Sequence, residues 1–344
     1  MAEHSTIEWT DATWNPITGC TLVSEGCRHC YAAGLAATRL KHHPSRAGLA
    51  RINAAGEAKF TGEVRFNEEW IDQPLRWKRP RRIFVCAHGD LFHEQVPDEW
   101  INRVFRVMAM AKHHTFQVLT KRPERAMFYL AAEGRELEIR SHEIAWPLPN
   151  VWLGTSVEDQ ATADERIPHL LATPAAVRFL SAEPLLGLVD LTRIRNEGDA
   201  LRPDALRGRC VTWVIVGGES GRHARPMHPD WARSLRDQCA AAGVPYFFKQ
   251  WGEWSPVTIA EDEDGALGPA YPMRGCSDPF THGNDQPCTF WHRVDSRWVE
   301  WPHLAGSSAI GARRVGKKAA GRMLDGREWS QMPPKNTPRT KRDF

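Results

Sequence analysis

No apolar run in this chain of 344 residues approaches the ~18 residues that a membrane-spanning helix needs. A helical membrane protein is thereby excluded. Met1 to Thr10 is polar and has no apolar stretch of the kind a secretory leader carries, so the eight cysteines read as thiols in a reducing, cytoplasmic compartment and not as a disulfide framework. Tyrosine is scarce, four against fifteen tryptophans, an imbalance that speaks for indoles in packing and rims and for no function. Net charge is nearly absent as well, at +3. What is present, 42% hydrophobic and 25% charged residues, suffices to bury the core of one large domain with an appendage.

The near-neutral total hides an asymmetry. Residues 313–344 hold ten Lys/Arg and three Asp/Glu, a net of +7, which leaves −4 for residues 1–312 out of the total of +3. A second basic patch, Arg76, Lys78, Arg79, Arg81 and Arg82 around Trp77, precedes an expected strand. Basic side chains beside aromatics suit a phosphate backbone and its bases. A solvated face and a polar tail over Pro333 to Phe344 explain the same residues equally.

Strand and helix signals alternate along the chain. Apolar runs rich in β-branched residues occur at Arg82 to Ala87, Thr115 to Thr120, Val151 to Thr155, Val177 to Ser181, Trp213 to Val216 and Pro245 to Phe248; each reads as a buried parallel strand. Helical patterns lie at Asp98 to His114, Pro123 to Ala132, Glu158 to Ala172 and Pro229 to Ala242, the last closed by Gly243. With a strand leading into Cys20, the pattern gives about seven βα units and an α/β fold, a partial or complete (β/α) barrel. A doubly wound open sheet is the alternative. The barrel is expected over residues 1–255 and a C-terminal extension with a basic tail over 256–344.

Cys20, Cys27 and Cys30 form the only close cysteine group, directly before an alanine-rich helix; Cys86, Cys210, Cys239, Cys276 and Cys288 are scattered. Three thiols are one short of the set that closes a tetrahedral zinc site or fully ligates a [4Fe-4S] cube, so a metal held there keeps an open position. A structural Cys3His zinc knuckle with His29, or plain buried thiols, are the other readings. In a parallel barrel, chemistry gathers at the C-terminal strand ends. The expected strands run into His88-Gly89-Asp90, Lys121-Arg122, Thr155-Ser156 with Glu158, Ser181 with Glu183, Gly217-Gly218-Glu219-Ser220 and Lys249-Gln250-Trp251. Taken singly, Glu158 and Asp98 serve as helix caps and Gly217-Gly218 as a turn; taken together they converge on one mouth.

A (β/α) barrel with three clustered cysteines after its first strand resembles the radical S-adenosylmethionine (radical SAM) superfamily, although its usual CxxxCxxC spacing is here stretched to six residues between Cys20 and Cys27. The fuller pattern, Glu8-Trp9-Thr10, Trp14-Asn15-Pro16, Gly19-Cys20 and Cys27-Arg28-His29-Cys30-Tyr31-Ala32, is similar to an uncharacterised phage-associated family of three-cysteine-motif proteins. Asp90-Leu91-Phe92-His93-Glu94, Leu119-Thr120-Lys121-Arg122-Pro123 and Gly316-Lys317-Lys318-Ala319-Ala320-Gly321-Arg322 extend that likeness over most of the chain. Spore photoproduct lyases are a looser likeness.

The resemblance implies a [4Fe-4S] cluster on Cys20, Cys27 and Cys30 that binds S-adenosylmethionine and generates a 5'-deoxyadenosyl radical, fed by an electron-donor protein. By position, Asp90 would take the amine of S-adenosylmethionine, Lys121 its carboxylate, and Thr155 or Ser156 its ribose. Glu183 and Gly217-Gly218-Glu219 join the cofactor-binding set, the latter near where superfamily members contact adenine. Cys86 resembles in placement the hydrogen-donating cysteine of the lyases; a buried strand thiol is its plainer reading. The basic patches suggest a nucleic acid or nucleotide as substrate. The alternative is a nucleic-acid-binding protein with a structural Cys3His zinc site and no catalysis.

Overall fold

The computed structural model describes residues 5–132, 145–195, 201–206, 210–261, 267–269, 288–294, 297–300 and 310–334. Seven parallel strands form the central sheet: β1 (Ala12–Trp14), β2 (Arg82–Val85), β3 (Thr115–Thr120), β4 (Val151–Ser156), β5 (Val177–Ala182), β6 (Trp213–Gly217) and β7 (Tyr246–Gln250). Their spatial order follows the chain without reversal, and β1 and β7 do not pair. The sheet is therefore a curled half-barrel, the partial form of the expected barrel, and a doubly wound sheet, which needs the strand order to reverse, is excluded.

The longer helices among the described residues are α1 (Tyr31–Ala37), α2 (Asp98–Met110), α3 (Pro123–Ala131), α4 (Gln160–Ala172) and α5 (Pro229–Ala242). Helix α2 buries Ile101, Val104, Phe105 and Met108 as its periodicity predicts. It stops short of the predicted His114 because that imidazole is drawn into the start of the sheet, accepting from the Arg81 amide at 3.2 Å and reaching the Pro74 carbonyl at 3.0 Å. Helix α4 begins two residues later than predicted. Asp159 caps it, accepting from the Thr162 amide at 2.9 Å while Thr162 Oγ1 accepts from the Asp159 amide at 3.1 Å, and Glu158 is left outside the helix. Helix α5 ends at Gly243, whose φ of 67° is the left-handed conformation that glycine adopts without strain.

Alternation along the strands divides the core. Val85, Phe116, Val118, Leu153, Leu180, Val214, Val216 and Phe248 face the helices, whereas Trp9, Phe84, Trp152, Phe179, Trp213, Ile215 and Phe247 fill the concave face. Half a barrel leaves that face wide, and indole and phenyl rings are large enough to fill it. Trp213 sits at the centre, with ring centroids 6.1 Å from Trp9, 5.9 Å from Trp152 and 5.6 Å from Phe179.

Beyond β7, Trp254–Glu261 opens a five-stranded antiparallel sheet that also contains 267–269, 288–294, 297–300 and 310–314, close to the expected start of the extension. The chain then returns. The Phe248 amide donates to the Trp329 carbonyl at 2.9 Å, and the Gln331 amide to the Tyr246 carbonyl at 3.2 Å. This strap covers the exposed edge of β7, which would otherwise offer unpaired backbone groups, and Trp213 Nε1 donates to the Gln331 carbonyl at 2.9 Å. The last part of the basic tail, residues 335–344, lies outside the described residues.

Because Trp213 is fully buried and also ties down the strap, Trp213→Ala is expected to destabilise the fold by ~3–5 kcal/mol. Trp213→Phe should lose less. Urea unfolding of the two variants beside the parent protein measures both, and equal losses would contradict the central place of the indole.

Candidate active site at the mouth of the half-barrel

After β1 the chain pairs Ile17–Thr18 with Arg65–Phe66 and passes through Gly19 to Cys20. A single turn, Glu25–Cys27, then carries the loop to Cys30, which stands immediately before α1. All three thiols are partly buried. Burial pushes Cys20 up to about 12, with the Asp90 carboxylate adding to the shift and Arg122 opposing it. Cys30 is raised by burial against the amides of Ala32 and Ala33, which donate to it. Cys27 lies close enough to raise both of the others.

Among the described residues, no group of three or more His, Cys, Asp or Glu side chains stands in a metal-holding arrangement. The donor chemistry nevertheless fits a thiolate-bound cluster: three thiols on one loop, two of them already meeting hydrogen-bond donors. His29 is held between carboxylates, Nδ1 3.2 Å from Glu219 and Nε2 3.7 Å from Glu57.

Two latches bind this loop to the strand ends. The first is Glu158, only 1% exposed, which accepts from Ser24 Oγ at 3.0 Å and from Arg166 Nη1 at 3.0 Å and pairs with Lys121. Gly26 packs against it so closely that a Cβ there would lie 2.4 Å from its carboxylate. The second is Glu219, which accepts from Arg225 Nε at 2.9 Å and Nη2 at 2.8 Å, while the same Nη2 donates to the Glu25 carbonyl at 2.9 Å. Thus the β4 and β6 ends both grip the cysteine loop.

The sequence-predicted residues divide on this geometry. Lys121, Glu183 and Glu219 come together at the mouth with the cysteines, as does Ser156, buried at the end of β4. Glu183 bonds Lys249 Nζ at 3.0 Å and accepts from Ser181 Oγ at 3.1 Å; Gly217 makes room for it, since a Cβ there would be 2.5 Å from its oxygen. Gly218 serves a close crossing instead, its would-be Cβ lying 2.0 Å from the Trp251 carbonyl. Asp90 is fully engaged internally, accepting from Thr120 Oγ1 at 2.7 Å and from the amides of Phe92 at 3.0 Å and Lys121 at 3.1 Å, and pairing with Arg122. Thr155 donates to the Thr120 carbonyl at 2.9 Å and is wholly buried. Cys86 stands just past the end of β2 with φ 56°; it is 2% exposed and packs into the helix-side core, where burial pushes its thiol up to about 12, with Asp90 and Cys20 adding to the shift.

The two basic patches separate. Arg82 opens β2, at the end of the sheet away from the mouth, where it pairs with Asp11 at 2.8 Å while Arg76 pairs with Asp72 at 2.7 Å. Lys317 and Lys318 are exposed on a turn whose Gly316 amide donates to the Glu253 carbonyl just after β7, on the mouth side. The Arg76–Arg82 patch thus lies at the opposite end of the sheet from the mouth, and Lys317 and Lys318 lie on the mouth side.

Sequence reasoning missed Arg166, Arg225 and the hairpin of Ala50–Ile52 with Ala58–Phe60, whose Lys59 donates to the Arg28 carbonyl at 2.7 Å. Their contacts with the loop span many residues and leave no local period. For Glu158 the one signal was a second acidic residue, Asp159, beside it to do the capping.

The fold and this mouth define a class: a parallel (β/α) half-barrel protein with a three-cysteine loop latched over its strand ends. The chain belongs to the family described as protein of unknown function (DUF5131), which it matches over residues 4–333. No curated protein and no solved structure matches it. Among the described residues, no helix is long and apolar enough to cross a membrane.

Gly26→Ala should push the loop away from Glu158. Faster protease cleavage between Cys20 and Cys30, with an unchanged circular dichroism spectrum, is the expected result, and unaltered cleavage would show that the latch does not hold the loop.

Two histidines near the mouth set a pH dependence. Burial lowers His88 to about 4, with Arg46 adding to the shift, and lowers His228, which caps α5, likewise to about 4. The unfolded chain protonates these rings near ~6.5 while the folded one keeps them neutral. Their stabilising contribution is thus complete above ~6.5 and is lost as pH falls toward 4. The urea midpoint should drop over that interval, and His228→Asn, which retains a capping acceptor, should flatten the drop.

Proposed function

We propose that this chain is a radical SAM enzyme of the reducing cytoplasm in which Cys20, Cys27 and Cys30 hold a [4Fe-4S] cluster. The observation that carries the reading is the union of the three-thiol loop with the polar strand ends of a parallel half-barrel, joined by Glu158 and Glu219 into one site. When bound, such a cluster supplies an electron to S-adenosylmethionine at its open iron, yielding methionine and a 5'-deoxyadenosyl radical.

The chain's own residues orient and enclose. Lys121, held by the buried Glu158, and the more accessible Lys249–Glu183 pair place both signs of charge at the mouth, an arrangement suited to a ligand that carries both an ammonium and a carboxylate. Lys121 keeps its expected role with the carboxylate. Asp90, engaged internally, yields the amine to Glu183, and Ser156 remains for the ribose. The aromatic packing of the concave face closes the half-barrel below the mouth and excludes water, which protects a radical from side reactions.

A nucleic acid or nucleotide as substrate draws support from exposed Lys317 and Lys318 on the mouth side, and an electron-donor protein is required by the chemistry.

Anaerobic isolation and reconstitution test the proposal. The expected protein is brown, binds about four irons, changes its spectrum on adding S-adenosylmethionine, and loses iron in Cys27→Ala. A colourless protein with stoichiometric zinc, or iron unaffected by that substitution, would overturn it.

A further inference from the structure

Arg122 stands directly after Lys121 at the end of β3 and is used by none of the roles above. Its side chain is 5% exposed, and its guanidinium is gripped from behind by two carboxylates. Nε donates to Glu94 at 2.6 Å, and Nη1 lies 3.2 Å from Asp90. The remaining donors point at the cysteine loop: Nη1 lies 3.6 Å from Cys20 Sγ, and Nη2 donates to Thr21 Oγ1, which in turn meets His93 Nε2 at 3.0 Å. A planar fork that stays charged under all ordinary conditions is thus fixed between strand end and loop.

We propose that Arg122 is a positioning residue for Cys20: it fixes the start of the loop through Thr21 and gives the Cys20 sulfur a cationic hydrogen-bond donor that tunes the electron affinity of a metal cluster bound there. The second half of this inference rests on the cluster reading; the first does not. The three cysteines are then inequivalent, since Cys30 meets backbone amides and Cys20 a guanidinium. Positive charge and hydrogen bonds at a ligating sulfur favour the reduced cluster, which carries one more negative charge. Removing Arg122 also leaves Asp90 facing Cys20 without its counter-ion, so both effects shift the potential in the same direction.

The test uses the full-length protein with Arg122→Gln, Arg122→Lys and Glu94→Gln. In metal-free samples, amide hydrogen exchange over residues 19–24 should quicken in Arg122→Gln and, less, in Glu94→Gln; exchange unchanged in both overturns the positioning. In anaerobically reconstituted samples, the midpoint potential should move to more negative values in Arg122→Gln and partly recover in Arg122→Lys. An unchanged potential in an iron-loaded Arg122→Gln protein overturns the tuning. Should that variant fail to fold or to retain iron, Arg122→Lys decides, because it keeps the charge but loses the planar fork that reaches Cys20 and Thr21: a negative shift from the parent supports the proposal and none overturns it. Parent protein that takes up no iron yet shows the exchange difference refutes the cluster reading and the tuning while leaving the clamp on the loop established.

Discussion

A carboxylate buried as deeply as Glu158 costs several kcal/mol unless its charge is met, and the mouth of this protein is built around meeting it. Arg166 reaches up from α4, Lys121 crosses from the end of β3, and Ser24 comes down from the cysteine loop. Each partner belongs to a different element, so the need to compensate one charge fixes a helix, a strand end and a loop relative to one another. Removing any one partner leaves the others facing an incompletely satisfied charge. The loop that carries the thiols inherits its position from that constraint.

The same logic recurs around the rim. Glu219 is satisfied by Arg225 and flanked by His29, and Asp90 is satisfied by Arg122 and three further donors. The acidic side chains that follow the strands are mostly structural anchors, each holding a cation that in turn touches the loop. Glu183 with Lys249 is the pair nearest to a ligand-facing role, because it bridges over Gly217 and neither member is as deeply buried as Glu158.

A half-barrel poses two problems that a closed barrel does not have, a wide concave face and a bare final edge. Tryptophan and phenylalanine answer the first, with Trp9, Trp152 and Trp213 among the rings that fill the face. The returning strap at 329–331 answers the second, and the five-stranded sheet holds the loop after β6 through Trp254 Nε1, which donates to the Ala224 carbonyl at 2.7 Å. The C-terminal part of the chain is therefore woven into the barrel on both sides of its own sheet.

The sequence by itself determined the strands and main helices of the central sheet and the end of that sheet at which polar groups collect. Runs such as Thr115–Thr120 and the pattern closed by Gly243 are local signals, written in β-branching, a 3.6-residue period and a left-handed glycine, and the structure keeps them to within a few residues. The cysteine group was legible for the same reason, since its members are close in the chain. Only the tertiary structure decided that the barrel stays half open, that Asp159 rather than Glu158 caps α4, that Asp90 faces inward to Arg122, and that the Arg76–Arg82 patch lies away from the mouth. Although Asp159 meets Thr162 locally, Glu158 is drawn away by Ser24 across 134 residues and Asp90 by Arg122 across 32, and charge compensation between distant partners carries no period that a one-dimensional reading can detect.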